Sequence, residues 1–163
     1  MISKIDMEQT TVHAVLVSVD GVGVLLRGPS GSGKSLAALN LMRQGHRLIS
    51  DDLVEVVPGP DGELIGRALE GDVRIEVRGL GIFKVESLFP GAVAKQCRID
   101  LIVDMDTYDP YKDSGRLAPE TGTTQLLGKD LLTVRVALPR GMEPSLVIEV
   151  LAKRYRESGS VNP

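Results

Sequence analysis

The chain of 163 residues has no tryptophan, three tyrosines, two phenylalanines and a single cysteine. With aromatics at only 3%, its core has to be built from Val, Leu, Ile and Ala. The lone Cys97 excludes an intrachain disulfide and cannot by itself make a cysteine zinc site. It reads as a small apolar strand neighbour, since nothing places it beside a base. Excess basic charge is also missing: 19 Lys and Arg stand against 22 Asp and Glu, a formal net charge of −3. That balance creates no broad positive field, so no nucleic acid and no anionic membrane is expected as a partner, and small molecules and proteins remain. Glycines and charges interrupt every apolar run well short of the roughly 20 residues that span a bilayer. The N-terminus lacks the apolar stretch of a signal peptide, so a cytoplasmic location is expected. Repeats and low-complexity segments are absent as well. What the chain does have is length and apolar content, 42% hydrophobic, enough for one core that buries roughly 70% of the surface of the unfolded chain. A single domain over residues 1–163 is expected, its core at about 11–157.

Glycine is plentiful, and its placement is informative. Gly28-Pro29-Ser30-Gly31-Ser32-Gly33-Lys34-Ser35 fits the pattern of glycine, any four residues, glycine, lysine and serine. Val22–Leu26 before it reads as a buried strand, and residues 36–43 after it read as a helix that Gly45 can end. Strand, loop and helix together are the context in which backbone N–H groups cradle phosphates, the helix N-terminus adds positive partial charge, and Lys34 reaches the β and γ phosphates. Ser35 would then ligate magnesium. The pattern therefore predicts a nucleoside triphosphate site on an α/β fold, with a phosphate loop in a mixed sheet flanked by helices.

Around this unit, 12–19 and 22–26 flank the turn Asp20-Gly21 and read as a hairpin. Arg47–Ser50 reads as a strand ending in Asp51-Asp52, and 54–57 stays extended up to the turn at 58–62. Val73–Val77 is extended, 85–89 a short helix and Ile99–Met105 a strong strand. The polar stretch 108–122 reads as a mobile loop, 131–138 as the last strand, and 144–156 as a terminal helix with Leu146, 148–150 and Leu151 on a partly buried face. His46 is placed to cap the first helix, and Lys153, Arg154 and Arg156 to form a solvated face.

Two further strings carry chemistry. Neighbouring side chains on a regular strand face opposite ways, so Asp51 and Asp52 can share a pocket only if the strand ends there, one near a metal and the other toward an acceptor. Alternation puts Glu76 and Arg78 of Glu76-Val77-Arg78-Gly79-Leu80-Gly81 on one face. The glutamate could complete a metal's oxygen shell while the arginine meets phosphate, or the two could be a surface ion pair before a turn.

Taken together these residues resemble the C-terminal catalytic domain of HPr kinase/phosphorylase. The resemblance runs through His13-Ala14-Val15-Leu16, the loop at 28–35, Gln44-Gly45-His46-Arg47-Leu48-Ile49-Ser50-Asp51-Asp52, the string from Glu76 to Ile82, Gly115-Arg116-Leu117-Ala118 and Ile148-Glu149-Val150, and spans roughly residues 11–152. It implies a core similar to that of ATP-type phosphoenolpyruvate carboxykinase, and an ATP- and Mg2+-dependent serine kinase acting on HPr or a related phosphocarrier of the phosphotransferase system. By the same resemblance His13 sits near the transferred phosphoryl group, Lys34 holds phosphates, and Ser35 and Glu76 bind magnesium. Asp52, with Asp51 beside it, is the general base, and Arg116 stabilises charge on the transferring group.

Three departures qualify it. Leu36 stands where the family has glutamate. The family's Gly-Arg-Asn segment, associated with the reverse phosphorylase reaction, is replaced in Leu138-Pro139-Arg140-Gly141-Met142-Glu143, so the reverse activity is not expected unless Arg140 substitutes. The family's separate N-terminal domain is not expected here, so its oligomer is not assumed and a homo-oligomer is left open. The competing readings are a small-molecule or carboxykinase-like enzyme on the same core, and a non-catalytic ATP-sensing module.

Overall fold

The computed structural model describes residues 9–69 and 71–163. The expected absence of a signal-like run concerns residues that in part lie outside these, as does the start of the expected domain. Elements follow in the order β1 (Thr10–His13), β2 (Val15–Val19), β3 (Val22–Arg27), α1 (Lys34–Arg43), β4 (Arg47–Ser50), β5 (Leu53–Pro58), β6 (Leu64–Ala68), β7 (Arg74–Val77), β8 (Gly81–Lys84), α2 (Val85–Leu88), β9 (Gln96–Arg98), β10 (Leu101–Asp106), α3 (Pro110–Asp113), β11 (Glu120–Leu126), β12 (Lys129–Ala137) and α4 (Pro144–Ser158). The result is a mixed α/β fold.

A six-stranded sheet, in the order β11-β12-β10-β3-β2-β4, carries the glycine loop. Its middle strands β12, β10 and β3 run parallel, and β11, β2 and β4 are antiparallel to their neighbours. These central strands are covered on both faces, which explains their near-continuous apolar sequences. Val24 and Leu26 of β3, Val15 and Val17 of β2, and Leu101 and Val103 of β10 join Leu41 of α1 and Ile148 of α4 in one core. Leu25, Leu16 and Ile102, one residue out of phase, join Val54, Val56 and Leu64 in a second core. That second core lies against an antiparallel four-stranded sheet, β1-β5-β6-β9. The β7–β8 hairpin forms a separate two-stranded sheet, anchored in the first core by Ile75.

The expected hairpin over 12–26 is divided. Its first strand breaks at Ala14: β1 pairs with β5 in the small sheet, and β2 pairs with β3 and β4 in the large one. Part of 108–122 is ordered. Asp109 accepts from Tyr111 N–H at 2.9 Å to cap α3, and Glu120 begins β11, an edge strand. On α4 the inward face is Ile148, Leu151 and Ala152, whereas Leu146 and Val150 are exposed. Helix α1 ends with Gly45 N–H on Met42 O and His46 N–H on Leu41 O, both at 3.0 Å. The His46 ring lies 3.5 Å from Glu149 of α4 and 3.9 Å from Asp20. Cys97 packs against the second core as expected, and burial, with Asp100 acting the same way, pushes its thiol up to about 12. Among the described residues no helix is long and apolar enough to cross a membrane.

Candidate active site

The site begins at a corner made twice. The chain passes from the small to the large sheet at Ala14, between β1 and β2, and returns at Asp51-Asp52, between β4 and β5. Because β1 pairs with β5 and β2 with β4, the two crossings lie side by side, and Ala14 N–H donates to Asp52 O at 2.9 Å to join them. The register His13↔Leu53 then sets the His13 ring next to Asp52, Nδ1 to Oδ1 3.6 Å. Both side chains are more than four-fifths exposed, at 82% and 84%, so this histidine is not a packed core residue.

The glycine loop leaves the end of β3, which Arg27 fixes through a two-pronged pair with Asp104 at 2.7 and 2.8 Å. Ser32 N–H donates back to Pro29 O at 3.0 Å, which closes a turn at the tip. Gly28, Gly31 and Gly33 all have positive φ, a left-handed backbone that other residues adopt only with strain. Helix α1 starts directly after this loop with no side-chain cap and no acidic residue in its first turn, so its positive end is not neutralised from within the helix. The Lys34 ammonium folds over the loop and donates to Gly28 O at 2.6 Å and Pro29 O at 3.0 Å.

Loop and corner meet at Ser35, whose hydroxyl donates to Asp51 Oδ1 at 2.9 Å. Burial pushes the Asp51 carboxyl up to about 6, against the opposing effect of the bonds it accepts from Ser35 and from Glu76 N–H. Asp51 therefore faces the loop while Asp52 faces solvent and His13. The bend that ends β4 at Ser50 separates the two. Glu76 reaches this cluster through its main chain, and its side chain is exposed on the outer face of β7. Arg78, in the turn after β7, brings its guanidinium against Gly31: Nη1 lies 3.4 Å from where a Cβ on that glycine would stand.

Arg116 is placed elsewhere. Its guanidinium lies 3.5 Å from Glu120 and 3.7 Å from Asp113, in a charged cluster centred on Arg135. Arg135 bonds Asp106 at 2.7 Å, Asp113 at 2.7 Å and Glu120 at 3.1 Å. The Arg135 bond, with a backbone bond from Asp109 N–H, holds the Asp113 carboxyl down at about 2. The structure thus brings together Lys34, Ser35, Asp51 and the Glu76 main chain, sets His13 and Asp52 at the adjoining corner, and leaves Arg116 on its own carboxylates.

Beside the loop opens a cleft of about 580 Å³ lined by Pro29–Ser32, Met105–Tyr108 and the segment from Leu138 to Met142, with Arg140 in its wall. Only the position of 138–143 after β12, the strand two places from β3, could have located it from sequence. Among the described residues no three metal-ligating side chains gather. Magnesium does not require such a cage, since it keeps water and takes one or two protein oxygens plus phosphates. The Ser35 hydroxyl and Asp51 carboxylate fit that modest need.

Residues 6–161 match the family model described as HPr Serine kinase C-terminal domain. The chain is 42% identical over 149 residues to the HPr kinase/phosphorylase of Geobacillus sp. strain WCH70, and 38% identical over 149 residues to that of Bacillus subtilis strain 168. Each alignment covers 90% of this chain and 48% of the relative, so the chain spans about half the length of the curated relatives it matches. A solved structure titled as the HPr(Ser) kinase/phosphatase from Coxiella burnetii superposes with a TM-score of 0.82 at 29% identity, covering 92% of both chains.

Proposed function

Because the chain belongs to the HPr serine kinase C-terminal domain family, we propose that it is an ATP- and magnesium-dependent serine kinase whose acceptor is HPr or a related phosphocarrier of the phosphotransferase system. It acts in the cytoplasm and regulates carbon or nitrogen metabolism. The nucleotide lies on a phosphate loop set in a carboxykinase-like core. The observation that carries this reading is the Ser35–Asp51 bond, which joins the glycine loop to a carboxylate from another strand, as metal-assisted phosphoryl transfer requires.

Lys34 leaves the Gly28 and Pro29 carbonyls to hold phosphate oxygens, and the backbone N–H groups of the loop and of the first turn of α1 hold the rest. Ser35 with Asp51, and Glu76 nearby, would hold magnesium, which would supply neutralisation of phosphate charge when bound. Asp52 is the general base. Its carboxylate is exposed, accepts the proton of the incoming serine hydroxyl, and has His13 beside it to orient the group. Asp51, bonded to Ser35, is less free to do this. Arg116 reaches the transferring group once its guanidinium lets go of Asp113 and Glu120.

The exposure of His13 and Asp52 favours a serine on the surface of a protein over a small acceptor that needs enclosure. For the reverse reaction, Arg140 is the cation that the cleft wall offers. The test is transfer of label from γ-labelled ATP to a serine-bearing HPr with magnesium. Wild type transfers label, Lys34→Ala loses binding and transfer, and Asp52→Ala loses transfer while still binding ATP. Labelled HPr from the Asp52→Ala protein would remove the assigned base, and no label from wild type would remove the kinase reading.

A further inference from the structure

The glycine loop leaves the end of β3, and the two sides of that strand carry different things. On one side β3 pairs with β2, and β2 with β4, so the corner that holds His13 and Asp52 lies there. On the other side β3 pairs with β10, and β10 with β12, all three parallel, so their carboxyl ends share one edge of the sheet with the loop. Residues at the ends of β10 and β12, 105–108 and 138–142, wall the cleft of about 580 Å³ beside the loop. Resting on the kinase reading, we propose that this cleft receives the nucleoside end of ATP and that Tyr108 and Met142 grip its base.

The direction follows from where the reaction takes place. A triphosphate on the loop whose terminal phosphate faces Asp52 has its reacting end on the β2–β4 side. Its other end then leaves the loop on the β10–β12 side, where the cleft opens. Loop and cleft are continuous, since Pro29 to Ser32 belong to the lining. Met105 makes the contact between them: its carbonyl oxygen stands 2.5 Å from where a Cβ on Gly28 would be, and its Cε 3.6 Å from where one on Gly33 would be. A side chain at 28 would push the loop off this wall, and the φ of +152° there also favours glycine.

The lining suits a flat, uncharged group. Met105 and Val136 are buried, Tyr108 and Leu138 are half-buried, and Met142 is 52% exposed. A base in the cleft would cover Met142 and meet the ring of Tyr108, contacts that use the adaptability of a thioether and the flat face of an aromatic. The hydroxyls of Ser30 and Thr107 are in the lining to meet those of the sugar. Of the two charged side chains there, Asp106 is bound to Arg135 at 2.7 Å, and Arg140 pairs with no carboxylate among the described residues. A single cation is too few to hold a second polyanion, and a base with its sugar needs none.

A grip on the nucleoside separates ATP from its bare phosphates, which a merely structural side chain does not. Magnesium tripolyphosphate supplies the phosphates without a nucleoside. Titration of Met142→Ala and Tyr108→Ala should show ATP binding weaker by about tenfold, the loss of one well-covered apolar contact, with tripolyphosphate binding unchanged within about twofold. Because Met142 is exposed, its variant should keep the wild-type melting temperature. Photolabelling of the wild type by ATP carrying an azide on its base should mark 105–108 or 138–142. Equal losses for both ligands, ATP binding within about threefold of wild type in both variants, or label recovered only at the His13 and Asp52 corner would overturn the proposal. Failure of the wild type to label HPr would overturn the acceptor assignment instead, and the comparison of ATP with tripolyphosphate would still decide the cleft.

Discussion

Asp51 shows how a single carboxyl couples stability to function. Burial raises its pKa from 3.8 to about 6, so between those values the folded protein binds more protons than the unfolded chain. Stability therefore falls as pH rises from about 4 to about 6 and stays lower above that, since the ionised form is the one burial disfavours. The shift corresponds to on the order of 3 kcal/mol. Asp51→Asn removes the ionisation while keeping the shape. Its urea midpoint should lose the decline between pH 4 and 6, exceed that of wild type at pH 7.5, and be accompanied by loss of transfer activity. A variant with the wild-type pH profile would show that the group is ionised at no such cost. Asp113 has the opposite sign: with its pKa held near 2 by Arg135, its contribution is full above the ordinary carboxylate range and is lost as pH falls through about 2.

At the level of elements, close packing of backbones decides how the loop is delivered. A Cβ on Gly23, at the start of β3, would stand 1.6 Å from the carbonyl oxygen of Arg98, where β9 leads into β10. Gly23 N–H donates to Asp100 Oδ2 at 2.9 Å, and Asp100 N–H donates to Gly23 O at 2.8 Å. Neither backbone can yield without breaking this exchange. Gly23→Ala should cost about 3 kcal/mol or more, measured by urea denaturation, because overpacking against main chain has no flexible partner to absorb it. A loss below 1 kcal/mol would mean that the strands separate easily. Strands β2, β3, β10 and β12 were readable because burial on both faces makes their sequences continuously apolar. The edge strand β11, Glu120–Leu126, alternates threonine, glycine and glutamine, and its polar face looks like loop. The break at Ala14 was hidden for the converse reason. Alanine inside an apolar run carries no sign of a change of sheet.

For the molecule as a whole, the proposed ligand should act on global stability, since the glycine loop joins the central β3 to α1, which packs into the first core. Magnesium ATP at a hundred times its dissociation constant contributes about 2.7 kcal/mol. For a domain of this size that should raise the melting temperature by roughly 5–10 °C in a thermal scan. Lys34→Ala should abolish the rise, and a rise that survives this substitution would place the nucleotide elsewhere.

Sequence alone determined the chemistry of the chain: a glycine loop with its strand and helix, two adjacent aspartates at a strand end, and the Glu76–Gly81 string, each a local pattern in which spacing dictates which groups can point together. The tertiary structure decided which of those groups meet. The Asp51–Ser35 bond, the His13–Asp52 corner and the approach of Arg78 to Gly31 all depend on pairings between strands distant in the chain, β1 with β5, β2 with β4, and the hairpin β7–β8 on the core. Local periodicity states which face a side chain takes. It carries no information on which strand will lie opposite, because that choice is made by burying two apolar faces at once.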